Sequence, residues 1–143
     1  MGIQLKWDDS GRVPEKTVIY WAFGESWTWT DFAQCVEEAY DWQMQSVPKT
    51  IHTIADMQEG KGMFAADAIS SITYSIKHVP PNRGKVVVVG ASRLLKLLEP
   101  IIRRLVPQLS AAYVLVDSLD EAYELVLAEL DRQETNPENG NST

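Results

Sequence analysis

Residues 85–92 read Lys-Val-Val-Val-Val-Gly-Ala-Ser. Side chains alternate sides along a strand, so four consecutive valines leave no face for water. Burial on both faces marks a parallel strand inside an α/β sheet. Gly90 then makes a tight turn, and Ser92 caps the helix that follows.

Downstream, residues Ser92–Leu105 carry helical spacing, with Pro100 well inside. Proline removes one backbone hydrogen bond and crowds the preceding turn, so a kink or a split is expected there. Ala111–Val116 (AAYVLV) reads as the fifth strand. Ser118 and Glu121 have the S-x-x-E form of a capping box. It opens a last helix to about Leu130 that buries Leu119, Ala122, Val126 and Leu130. Residues 133–143 (QETNPENGNST) are polar and rich in Asn, Pro and Gly, the composition of a disordered tail.

Upstream, Ile3–Trp7 and Thr17–Phe23 are apolar runs separated by the punctuated segment DDSGRVP, and are expected to pair as an antiparallel hairpin. A helix from about Asp31 to Ser46 places Phe32, Cys35, Val36, Ala39 and Val47 on one face. Thr28 or Thr30 caps it, and Asp31 suits the positive end of its dipole. Pro48 stops it. Ile51–Asp56 (IHTIAD) is the third strand. Its polar interruptions suggest that one side is less deeply buried. After MQEGKG, a helix over residues 64–78 buries Ala65, Ala68, Ile69, Ile72 and Ile76, with His78 near its negative end. The sum is one α/β domain over residues 1–132: a five-stranded mixed sheet, an N-terminal antiparallel hairpin and then parallel β-α units, with four helices.

The order β-β-α-β-α-β-α-β-α resembles the STAS domain, the fold of bacterial anti-sigma-factor antagonists and of the cytoplasmic tails of sulphate transporters. Ile51–Asp56 is similar to that family's strand ending in Leu-Asp, and residues 118–126 (SLDEAYELV) to its closing Ser-x-x-Glu-Ala helix start. The likeness spans residues 3–131 and implies a regulatory domain rather than an enzyme. The family's phosphorylated serine follows the strand-end Asp by about eight residues. Counted from Asp56, this chain has Phe64, Ala65, Ala66 and Asp67 there, so the usual phosphoserine switch is missing. Ser70 and Ser71 fall further on, inside the helix.

A chain of 143 residues suffices for a hydrophobic core. No run approaches the roughly 20 apolar residues of a membrane span. No basic-then-apolar leader is visible, and Lys6 stands where a myristoylation motif wants Ser or Thr. With one cysteine, Cys35, no internal disulfide can form, and a cytoplasmic protein is expected. The net charge of −7 disfavours nucleic acid. The charge is segregated: residues 77–104 hold seven basic side chains and one acid, a net +6 that leaves −13 for the rest. Arg93, Lys96, Arg103 and Arg104 form a candidate interaction patch for an acidic partner or a second copy, a homodimer; the simpler alternative is a solvated helix face.

Trp21, Trp27 and Trp29 cluster in YWAFGESWTWTDF. Tyr20 and Trp21 must face opposite sides of their strand, and Trp27 and Trp29, in the loop before the first helix, either staple that helix to the sheet or wall a site for a small apolar ligand. Met57, Met63 and Phe64, at a neighbouring strand end, would share that wall, since ligands on open α/β sheets gather beyond the carboxyl ends of strands. The chemistry of other residue types is thin. VVVVGAS lacks both G-x-G-x-x-G and Gly-Lys-Ser/Thr, so nucleotide is not expected. His52 and His78 belong to no metal-spaced set. Asp56, Asp67 and Asp117 do not complete a phosphate receiver, because no lysine ends the late strand. Cys35 falls on an apolar helix face, and no nucleophile elbow exists. No cofactor is called for. Two functions therefore stand: a non-enzymatic interaction module, or a carrier or sensor with an apolar pocket between sheet and helices.

Overall fold

The computed structural model describes residues 2–59, 65–91, 93–105 and 112–135. Five strands form one sheet in the order β1-β2-β3-β4-β5: β1 (Ile3–Trp7), β2 (Val18–Phe23), β3 (Ile51–Asp56), β4 (Arg83–Val89) and β5 (Tyr113–Val116). β1 runs antiparallel to β2, with Ile3 opposite Phe23 and Trp7 opposite Ile19. Every later pairing is parallel. The helices are α1 (Trp29–Met44), α2 (Ala65–Lys77), α3 (Arg93–Leu105) and α4 (Leu119–Thr135). None is long and apolar enough, among the described residues, to cross a membrane.

Each parallel strand lies beside the previous one, always stepping in the same direction. Right-handed crossovers then carry successive connecting helices to one face of the sheet. The packing agrees: α1 meets α2, α2 meets α3, and α4 packs on β3, β4 and β5. The core accordingly divides in two. On the α1 side, Ile19, Trp21, Phe23 and Ala55 pack with Cys35, Val36 and Ala39. On the other, Val18, Ile54, Val87, Val89 and Val116 meet Ala122, Tyr123 and Val126 of α4. Tyr123 also donates to Asp8 in the first loop, and Arg12 of that loop pairs with Asp120 at 2.9 Å.

Several expectations are corrected. β3 is not open on one side: residues 51–55 are all buried, because helices cover both faces of the sheet. Its polar members are accommodated locally, as where His52 Nδ1 accepts the Lys85 amide at 2.9 Å. Gly84 must lack a side chain there, since a Cβ would stand 2.3 Å from His52 Nδ1. Val47 is 46% exposed rather than on the buried helix face, because α1 ends at Met44 and the chain turns before Pro48. α3 is not split: it runs through Pro100 as one helix. α4 continues to Thr135, so residues 133–135 belong to it and not to a tail. Residues 136–143 lie outside the described residues, as do Ala111 and the expected cap Ser92. In α2, Ile76 is buried and Ile72 half-buried, while the side chains of Ala65, Ala68 and Ile69 are not among those described.

Candidate functional site

The start of α1 is built from aromatic residues. Thr28 is its N-cap, accepting from the Asp31 amide at 3.1 Å while Asp31 accepts from the Thr28 amide, a reciprocal capping box. Trp27, just before the cap, packs on Phe32, four positions into the helix, at 6.3 Å between ring centres. That is a hydrophobic staple. Trp27 also meets Phe23 edge-on at 5.1 Å and Trp29 edge-on at 4.8 Å, and Phe32 reaches Trp21 at 5.8 Å. The structure places Trp29 in the first turn of α1 rather than in the loop. The rings hold α1 against β2, the stapling role the sequence offered.

The same rings also wall a space. A cavity of about 180 Å³ lies between the sheet and α1–α3. Trp21, Phe23, Trp27, Trp29, Phe32 and Met57 bound it near the carboxyl ends of the parallel strands. Thr53, Ala55, Val86 and Val88 form its floor. At the amino-terminal strand ends it is bounded by Gln43, Arg83, Tyr113 and Arg103. Trp27, Trp29 and Met57 are thus brought together as expected, while Met63 and Phe64 lie outside the described residues. The space extends down the strands instead of stopping beyond their carboxyl ends.

Polarity is unevenly met around this cavity. The indole N–H groups of Trp21 and Trp27 and the Oε1 of Gln43 are buried without a hydrogen-bond partner among the described residues. Burial without a partner costs a polar group about 1–3 kcal/mol. At the amino-terminal end, Arg103 donates to the Tyr113 carbonyl at 2.9 Å and to Glu99 one turn earlier. The Arg83 guanidinium lies over the Tyr113 ring, 5.3 Å from its centre. Burial pushes the Tyr113 hydroxyl up, and Arg83 opposes that rise.

Of the basic residues named from the sequence, Arg103 is set apart from Lys96 and Arg104. Arg103 is half-buried and faces the cavity, whereas Arg104 is exposed. Lys96 is exposed and pairs with Asp117 at 3.3 Å. The Arg93 side chain is not among those described. Next to them Leu97 and Ile101, one turn apart, are 67% and 46% exposed. The remaining candidates are structural. Asp56 accepts from Tyr20 and, at 3.1 Å, from the Gln58 amide. Cys35 is buried, and burial, with smaller help from Glu38 and Asp31, pushes its thiol up to about 11. Among the described residues no group of three His, Cys, Asp or Glu stands ready to hold a metal ion.

Gln43, Arg83 and Tyr113 were not singled out as site residues by sequence. Gln43 falls on the helical spacing of Val36 and Ala39 but is polar, and Arg83 precedes the valine run in what reads as a turn. In comparison with known proteins, the chain matches no family model, no curated protein and no solved structure.

Proposed function

We propose that this chain is a non-enzymatic, cytoplasmic regulatory domain of STAS-like type that binds a small apolar ligand between its sheet and α1–α3. The observation that carries the reading is the cavity of about 180 Å³, walled by aromatic rings. Its ring-lined walls leave apolar surface against water, and a ligand that covers that surface gains about 25 cal/mol per Å². The order of elements and the missing phosphorylatable serine support a domain whose input is a ligand rather than a kinase.

The test is direct. Native mass spectrometry of freshly purified protein is expected to show a bound mass of a few hundred daltons at most, and tryptophan fluorescence to respond to small apolar compounds. Ala55→Leu fills the floor of the cavity from β3 and should abolish that response while the fold remains intact. An unchanged response in the variant sinks the proposal.

A second reading rests on Leu97 and Ile101. Their exposure beside Lys96 and Arg104 suits a helix that docks a protein partner, and the net −13 outside residues 77–104 makes a second copy, a homodimer, electrostatically suitable. Sedimentation of the Leu97→Glu, Ile101→Glu double variant addresses it: a monomer–dimer equilibrium unmoved by both changes excludes α3 from the interface.

A further inference from the structure

The ends of the cavity differ in a way that specifies its occupant. Because β2–β5 run parallel, Trp21, Phe23 and Met57 gather at one end, and Arg83 and Tyr113, the first residues of β4 and β5, at the other. The first end is hydrocarbon and indole. The second holds two arginines of different standing. Arg103 has a carboxylate, Glu99, beside it. Arg83 has none among the described residues: it is half-buried, rests on the Tyr113 ring, and its Nε is buried with no hydrogen-bond partner. A guanidinium held partly out of water with no carboxylate beside it favours an incoming opposite charge.

We infer that the ligand is a small amphipathic monocarboxylic acid, its hydrocarbon body among Trp21, Phe23 and Trp27 and its carboxylate on Arg83. This deepens the pocket reading proposed above and rests on it. Size and charge both restrict the class. An apolar cavity of about 150 Å³ accepts benzene, so about 180 Å³ suits one aromatic ring or a short acyl chain and excludes a two-chain lipid. One uncompensated positive charge balances one negative charge. A dianionic phosphate would bring a second charge that meets only Arg103, which already has Glu99 beside it. A planar carboxylate also matches the fork of N–H donors on a guanidinium.

The experiment compares octanoate with octan-1-ol, equal in chain length and different only in head group, by calorimetry and by fluorescence of the cavity tryptophans. The acid is expected to bind at least about tenfold tighter, the effect of one charge-assisted hydrogen-bonded pair. Arg83→Gln should remove that preference, read as the ratio of acid to alcohol affinity, and Arg83→Lys should restore part of it. Equal affinity of wild-type protein for acid and alcohol overturns the carboxylate inference while the pocket reading stands. Binding of neither compound, or of any aryl acid of similar size such as 4-phenylbutyrate, overturns both. A preference for the acid that survives Arg83→Gln overturns the assignment to Arg83. The wild-type comparison alone decides the charge requirement should the variants not fold.

Discussion

Val87 and Val89 are fully buried, whereas Val86 and Val88, their neighbours in the same strand, are only half-buried. The residue type is identical, so the difference belongs to what each face meets. Val87 and Val89 meet α4, whose Ala122, Tyr123 and Val126 close on them and on Ile54. Val86 and Val88 look into the cavity beneath α1–α3. On that side the sheet carries Trp21 and Phe23, large flat rings that stand the helix layer away from the smaller side chains of β3 and β4. Small residues beside large rigid ones leave space that no rotamer fills. One face of the sheet thus holds the domain together, and the other holds room for a ligand.

That contrast predicts unequal responses to the same operation. Ile54→Ala, on the closed face, should cost about 4 kcal/mol in urea unfolding, because it removes a fully buried side chain from a packed layer. Val88→Ala, on the open face, should cost about 1 kcal/mol, since part of its surface already borders space. Equal costs would erase the distinction. A smaller effect than the first is expected from adding volume. Gly84→Ala puts a Cβ against the fully buried His52 ring and should lose about 2 kcal/mol of stability, whereas added volume at Ala55 falls into the cavity.

The smallest effect is a pH dependence. Burial lowers the His52 pKa, Lys85 lowers it further, and Glu129 opposes both. The unfolded chain, with an ordinary histidine near 6.5, therefore binds a proton that the folded state refuses. The contribution of His52 is complete above that value and is lost as pH falls below it toward the folded pKa. The urea midpoint should drop between pH 7 and 5.5, and drop less in His52→Gln, which keeps an acceptor for the Lys85 amide. An identical slope in the variant assigns the dependence to other groups.

The fold was legible because its signals are local and repeated. The valine strand, the alternation around Trp21 and a threonine cap at Thr28 or Thr30 each follow from a period or a side-chain reach, and the structure has them with Thr28 as the cap; burial of the valines on both faces is corrected, since Val86 and Val88 are only half-buried. Element ends were less so: α4 runs past Leu130 because nothing in Asp131–Thr135 forbids a helix, although those residues are polar. The aromatic half of the candidate site was also visible, through the density of rings in residues 20–32. Its polar half was not. Arg83 becomes a cavity residue only because β4 starts two positions before the lysine–valine run, with Gly84 packed under His52. Arg103 and Arg104 are equivalent in sequence, and only the path of α3 decides which one turns inward. Empty volume leaves no mark in a periodicity at all.

The order β1-β2-β3-β4-β5 has a consequence for how the chain is made. Every strand pairs with the one synthesised before it, and the aromatic clamp between β2 and α1 lies within 12 residues, from Trp21 to Phe32. Such pieces assemble with short loops and little entropy to overcome. The hydrogen bond from Tyr123 to Asp8 spans 115 residues, and with it α4 seats on the sheet. The ribosome must therefore release the chain through α4 before the valine face is covered, and a nascent chain stopped short of α4 would display that face to chaperones.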